Sequence, residues 1–287
     1  MGAEDQPAFE QSIARVSKLR ESTWAEVIIV SIAVIGAWNF TTETVYGEGL
    51  SSWRSITRVT NSGAAVSLTG LWNSAVAVPM LQFFWYRWMW RLLIWGLFLW
   101  DVSRLNLNLV ATHADQAGGL GFLGTAHASL GIFAAALSAV LSAEVAFLVI
   151  FRNANISAFQ LHYLATVLII EVLILGPLLM FVPILIRARQ AALRDYGLLV
   201  GRYNRAFHDK WILGGRSSDE PLLGSADIQS LADLGNSFEL VREMKVVPFS
   251  QRVVFQLAMV TSLPCIPLIL LVVPINTILE LLTKAVF

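Results

Sequence analysis

The sequence carries little charge: 14% of its 287 residues are charged, whereas soluble domains typically carry about a quarter. It has one cysteine, Cys265, which excludes a disulfide framework or a cysteine metal site within one chain. Its net charge is zero and it has no basic tract, so nothing favours nucleic acid as a partner. In contrast, 56% of the residues are apolar. This composition predicts an all-α, polytopic membrane protein embedded in a lipid bilayer.

Five apolar segments are long enough to cross a bilayer, which takes about 20 helical residues. The predicted spans are 23–40, 68–100, 121–151, 161–187 and 252–276. The segment 68–100 is longer than a bilayer requires. It is therefore strongly tilted, continued into the cytoplasm as a helix, or broken between Arg87 and Arg91.

Basic residues are unevenly distributed among the segments that connect these spans. Residues 187–252 hold ten of the twenty Lys and Arg, and the N-terminal segment adds three more. The positive-inside rule then predicts a cytoplasmic N-terminus and a periplasmic C-terminus. The predicted parts are a cytoplasmic tail (1–22), a four-span membrane domain with a cytoplasmic Gly-rich loop at 101–120 (23–187), a cytoplasmic helical segment (188–251), and the last span with a C-terminal tail (252–287).

Four ionisable residues within the predicted spans are candidates for an ion pathway or ion-binding site: Arg87, Arg91, Glu144 and Glu171. Ionised side chains are costly in hydrocarbon unless they are paired or hydrated. The two glutamates lie on spans that a short turn makes antiparallel, so we expect that their carboxylates can approach each other. The arginines either extend towards the headgroups, line an anion-attracting vestibule, or pair with a buried carboxylate.

The cytoplasmic loop THADQAGGLGFLG supplies a second set of candidates: His113, Asp115, Gly118 and Gly119. A glycine-rich turn before a helix can present backbone N–H groups to an anion. The loop lacks the pattern of a nucleotide site, and we predict no cofactor. His113 and Asp115 are also possible metal ligands, with His127 as a distant third; the alternative is an Asx-type turn.

The segment 188–251 has helical spacing on both sides of a polar loop. Ser225 is the predicted N-cap of its second helix, so we expect a cytoplasmic helical hairpin before the last span. No arrangement of a nucleophile, a base and an orienting group is present in this segment. The sequence therefore does not favour an enzyme. The remaining possibility for an enzyme is a site that uses His113 and Asp115 of the cytoplasmic loop.

A resemblance to known proteins rests on three stretches: SRLNLNLVATHADQAGGLGFLG, YGLLVGRYNRAFHDKWILGG and DEPLLGSADIQSLADLGNSFELVREMKVVPFS. Together with the proline-rich last span they resemble a group of uncharacterised bacterial polytopic inner-membrane proteins, from about residue 83 onward. Ala114 stands where such proteins tend to have proline. The resemblance implies a bacterial inner membrane and supplies no activity or site residue.

Two functions follow from these patterns. The first is an oligomeric ion channel or small-solute transporter that uses the intramembrane Arg and Glu residues. The alternative is a non-catalytic scaffold or sensor that binds a cytoplasmic protein partner through its helical segment. In either case we expect the chain to form a homo-oligomer.

Overall fold

The computed structural model of the protein describes residues 2–46, 55–56, 65–66, 68–215 and 225–268. The described residues are almost all helical, which confirms the all-α class. One small antiparallel pair joins the two-residue strands Ser55–Ile56 and Ala65–Val66. The chain divides into two compact units, 1–106 and 107–287, and each is described by itself.

The α-helices of the first unit are α1 (Gln6–Arg20), α2 (Thr23–Tyr46), α3 (Leu68–Trp72) and α4 (Val78–Ser103). The N-terminal tail is thus largely helical. Proline is tolerated in the first turn of α1, and the basic residues Lys18 and Arg20 in its last turn complement the helix dipole. The ring of Phe9 in α1 lies 6.0 Å from that of Phe98 in α4, so α1 packs on α4.

The segment 68–103 is one continuous run of helix. A π-helical turn at Asn73–Ala77 joins α3 to α4. It ends two residues before Pro79, whose missing N–H disturbs the regular hydrogen-bond pattern. The run is about 54 Å long at 1.5 Å per residue. It is not broken between Arg87 and Arg91, which removes that possibility from the sequence analysis.

The α-helices of the second unit are α5 (Phe122–Ala128), α6 (Gly131–Arg152), α7 (Gln160–Leu175), α8 (Val182–Phe207), α9 (Ala226–Glu243) and α10 (Gln251–Ser262). A 3-10 turn at Gly176–Phe181 joins α7 to α8. Pro177 and Pro183 explain this turn, because neither residue donates a backbone hydrogen bond.

One face of α6 forms part of the core of the second unit. Gly131, Ala134, Ser138 and Ser142 are buried at helical spacing. A Cβ at Gly131 would lie 3.4 Å from Val260 in α10. Small side chains therefore bring α6 and α10 close together, as is common between membrane helices.

Two segments of the described chain are long and apolar enough to cross a membrane: Phe122–Arg152, with 31 residues, and Ile156–Ile212, with 57. A third follows if α1 and α2, which are bent by 42°, count as one span. The run 68–103 does not meet this criterion, since its many Trp, its Gln82 and its two arginines lower its mean hydropathy. Residues 269–276 of the predicted fifth span, and the C-terminus, lie outside the described residues.

Helices α8 and α9 pack against each other as an antiparallel hairpin. A Cβ at Gly197 of α8 would lie 3.9 Å from Phe238 of α9, and the Tyr203 hydroxyl donates to the carbonyl of Asp227 at 3.0 Å. Ser225 caps α9 as predicted, since its hydroxyl accepts the N–H of Asp227 at 3.1 Å.

Candidate functional site

The carboxylate of Asp115 organises the glycine-rich loop. Its Oδ1 accepts the N–H groups of Ala117 at 2.8 Å and Gly119 at 3.1 Å, and its Oδ2 accepts that of Gly121 at 2.8 Å. The loop thus forms an Asx-type turn extended by further donors. These three N–H groups are therefore already bonded to this side chain and are not open to an external anion.

Two glycines of this loop are required by its backbone. Gly118 and Gly119 have φ values of +65° and +95°, in the left-handed region where only glycine is relaxed. A Cβ at Gly118 would also lie 3.1 Å from the Met244 methyl carbon and 3.2 Å from Leu109. Both predicted glycines are therefore required by the backbone conformation of the loop.

His113 lies beside Asp115. Its Nδ1 is 2.8 Å from Asp115 Oδ1, and its side chain is half exposed. Burial raises the pKa of Asp115, but the N–H donors of Ala117, Gly121 and Gly119, with His113, outweigh this effect and lower the pKa to about 2. Asp115 is therefore ionised at neutral pH.

The loop also holds the base of the hairpin. The Gln116 side-chain amide donates to Glu243 Oε2 at 3.0 Å, and the Gln116 carbonyl accepts the N–H of Lys245 at 2.6 Å. Arg189 of α8 donates to the carbonyl of Arg242 at 2.8 Å. These bonds join the loop, α8 and the end of α9 into one cluster, which we call the hairpin base.

Apolar packing surrounds the hairpin base. A Cβ at Gly124 of α5 would lie 2.8 Å from Phe249, so α5 touches the segment that follows α9. Met244 and Leu185, which lie beside Gly118, are buried, and so is Val241 in the last turn of α9. Buried apolar side chains of this kind oppose local opening of the hairpin base.

A second polar cluster lies at the hairpin tip. Asp227 Oδ2 accepts Lys210 Nζ at 2.7 Å and Trp211 Nε1 at 3.1 Å. The hydrogen bonds from Lys210 and Trp211 lower the pKa of Asp227 against a smaller opposing effect of burial. The contacts fix the π-helical turn His208–Ile212 onto the start of α9.

The candidate arginines lie in the first unit, on α4. Arg87 Nη1 is 2.9 Å from Glu26 Oε1 of α2, with both side chains at least a third exposed. The Arg91 guanidinium lies over the Trp88 ring at 5.6 Å. Arg87 thus pairs with a carboxylate, one of the three expected alternatives, although this carboxylate is not buried.

The candidate glutamates lie in the second unit. Glu144 is exposed on the surface of α6. Glu171 is half-buried, and its Oε1 is buried without a hydrogen-bond partner among the described residues. No hydrogen bond joins the two side chains within the described chain, because Glu144 points away from the packed face of α6.

The described residues contain no group of three or more His, Cys, Asp or Glu side chains that could hold a metal ion. His127 is buried, and its Nδ1 is 2.7 Å from the Leu123 carbonyl. It therefore does not join His113 and Asp115 as a third ligand.

The chain matches no protein-family model, no curated protein and no solved structure. The candidate site is therefore argued from the distances and contacts of this structure alone. Sequence reasoning missed Gln116, Glu243, Arg189 and Asp227. For Asp227 a signal was present, since acidic residues favour the first turn of a capped helix; the other three meet only through the tertiary fold.

Proposed function

We propose that the protein is a non-catalytic integral membrane scaffold that displays the α8–α9 hairpin to a protein partner. The observation that carries this proposal is the hairpin base. Its bonds at 2.6 to 3.0 Å hold the hairpin on the loop that leads into the spanning segment 122–152. A hairpin held in this way presents a surface at a defined position, which lowers the entropic cost of binding a partner.

In this proposal the chain crosses a bacterial inner membrane five times, with the N-terminus and the hairpin in the cytoplasm. The basic residues of the 187–252 segment support that orientation. The helical run from 156 to 212, which includes the 3-10 turn between α7 and α8, carries the hairpin out of the bilayer. The resemblance of the sequence to bacterial inner-membrane proteins agrees with this setting.

The hairpin tip is the proposed contact surface for the partner. Ile212 and Leu213 are 65% and 69% exposed, next to the turn that Asp227 fixes through Trp211. Exposed apolar side chains on a rigid support are typical of protein contact sites.

A photo-crosslinking experiment in native membranes tests this function. A photoreactive residue at Leu213 should give one stoichiometric adduct with a second protein, while the same residue at Ser157, on the opposite end of the spans, should give none. Asp227→Asn should weaken the Leu213 adduct because it loosens the tip. Absence of an adduct at Leu213 would contradict the scaffold function.

The second candidate function is an oligomeric channel or small-solute transporter. Glu144 favours it, because an exposed carboxylate on a spanning helix requires a neighbour or water. Purified protein in liposomes should then conduct ions, and Glu144→Gln should change the current. Tight vesicles with inserted protein and no flux would eliminate this candidate.

A further inference from the structure

The outer face of α8 carries a row of arginines. Arg187, Arg194, Arg202 and Arg205 are all exposed and lie within an arc of about 80° on the helix. None of them pairs with a carboxylate in the part of the chain that the structure describes. We call this row the basic face. Helix α8 has no lysine. Arginine is enriched at protein interfaces, whereas lysine is depleted there.

The outer face of α9 is acidic. Asp233, Glu239 and Glu243 are exposed and lie within an arc of about 120°. Glu243 also accepts the Gln116 amide of the hairpin base through Oε2, and Asp233 accepts the Gln229 amide through Oδ1, which leaves the other oxygen of each carboxylate for a neighbour. We call this the acidic face. It points away from α8, because Asp227 and Phe238 on the other side of α9 contact that helix. The basic face likewise points away from α9, so the two faces lie on opposite sides of the hairpin.

Contacts within the hairpin fix which residues of the two faces lie at the same level. Three contacts set the register: Arg189 with Arg242, Gly197 with Phe238, and Tyr203 with Asp227. This antiparallel register places Arg187 level with Glu243, and Arg194 level with Glu239. The levels of Arg202 and Asp233 differ by about one helical turn, or about 5 Å. An arginine side chain is long enough to span this offset.

We propose that the basic face of one copy docks on the acidic face of a second copy of this chain. Copies inserted in one bilayer share orientation and depth, so their hairpins meet side by side at equal level. The levels of Arg187, Arg194 and Arg202 then face carboxylate levels of the neighbour. Because the faces are opposite, the contact is head-to-tail, as in a cyclic assembly. This docking proposal rests on one part of the proposed function, namely that the chain is inserted in a membrane in one orientation.

Anionic lipid headgroups fit the basic face less well. The row from Arg187 to Arg205 extends about 27 Å along a helix that leaves the membrane. Charges are screened over about 8 Å at physiological salt, so headgroups reach only the arginine nearest the span.

On the acidic face, Glu239 already pairs with Arg242 of the same helix at 3.2 Å. Because both side chains are exposed, this pair contributes little, and Glu239 can pair with an arginine of the neighbouring copy instead.

Cysteine crosslinking of the full chain in phosphatidylcholine vesicles tests the docking. Leu198 on the basic face and Ala232 on the acidic face are exposed and nearly level, so Leu198→Cys with Ala232→Cys, in a Cys265→Ser background, can bridge only between copies. We expect a ladder of disulfide-linked multimers. A monomer band alone under oxidation would overturn the proposal.

Charge reversal sharpens the test. Arg194→Glu or Glu239→Arg alone should reduce the ladder by about fivefold or more, and the two together should restore it. The matched control Arg252→Glu, exposed on α10, should leave it intact. A ladder insensitive to Arg194→Glu, or binding of phosphatidylglycerol by the basic face without any ladder, would overturn the proposal. The partner adduct at Leu213 is a separate measurement, so failure of the docking and failure of the scaffold are distinguishable.

Discussion

Asp115 and Glu144 are carboxylates in contrasting surroundings. Asp115 accepts three backbone N–H groups of its own loop, whereas Glu144 lies exposed on α6 with no partner among the described residues. The first charge is satisfied within the fold and serves structure. The second is left for a neighbour or water to satisfy. The two carboxylates therefore differ in how far the fold itself satisfies their hydrogen-bonding capacity.

Removal of the Asp115 charge should have the largest effect. Asp115→Asn replaces one carboxylate oxygen by an NH2 group, which leaves the Gly121 N–H without its acceptor, and should lower the free energy of unfolding by about 2 kcal/mol. Glu144→Gln, which breaks no hydrogen bond, should change it by less than about 0.5 kcal/mol. Thermal unfolding in detergent measures both variants, and equal losses would contradict the contrast between the two carboxylates.

A pair of glycine substitutions sharpens the comparison at the loop. Gly118→Ala should destabilise by about 1 to 2 kcal/mol, because φ is +65° and Met244 lies 3.1 Å from the added Cβ. Gly201→Ala, inside α8 where nothing lies within 4 Å, should stabilise by up to about 1 kcal/mol. Denaturation curves that shift in the same direction for both variants would argue against the loop conformation.

Acid should weaken the loop through Asp115. Since the folded-state pKa is lowered to about 2, this contribution is complete above about pH 4 and is lost as the pH falls towards 2. After allowance for solvent screening it amounts to about 1 kcal/mol. Unfolding measured from pH 6 to pH 2 should show the loss in the wild-type protein and a smaller one in Asp115→Asn; parallel profiles would be the contrary result.

The smallest effect is expected at the exposed pair of Arg87 and Glu26. A double-mutant cycle with Arg87→Met and Glu26→Gln should give a coupling energy of about 0.5 kcal/mol, because both side chains are partly exposed. A coupling energy above about 2 kcal/mol would contradict this expectation, because the pair would then contribute to stability as much as Asp115 does.

The sequence predicts the apolar helices, the hairpin and the Ser225 cap because apolar spacing and capping are local properties; it does not predict α1, which lies in the polar N-terminal tail. It also identifies the loop at Asp115, where glycines and a short polar side chain occur together. Local pattern does not reveal the bond between Gln116 and Glu243, since these residues are 127 positions apart. Local pattern likewise does not fix the rotation of α6: its small residues pack against α10, and Glu144 is exposed with no hydrogen bond to Glu171 among the described residues.

The central claim is that the loop and the hairpin base form one unit. Amide hydrogen exchange of the full chain in lipid nanodiscs tests it most directly, at Gly119, Gly121 and Lys245, whose N–H groups are all bonded within this cluster. We predict slow exchange at all three, and faster exchange at all three together in Asp115→Asn. Rapid exchange at Lys245 in the wild-type protein, or an Asp115→Asn effect confined to the loop, would contradict the account.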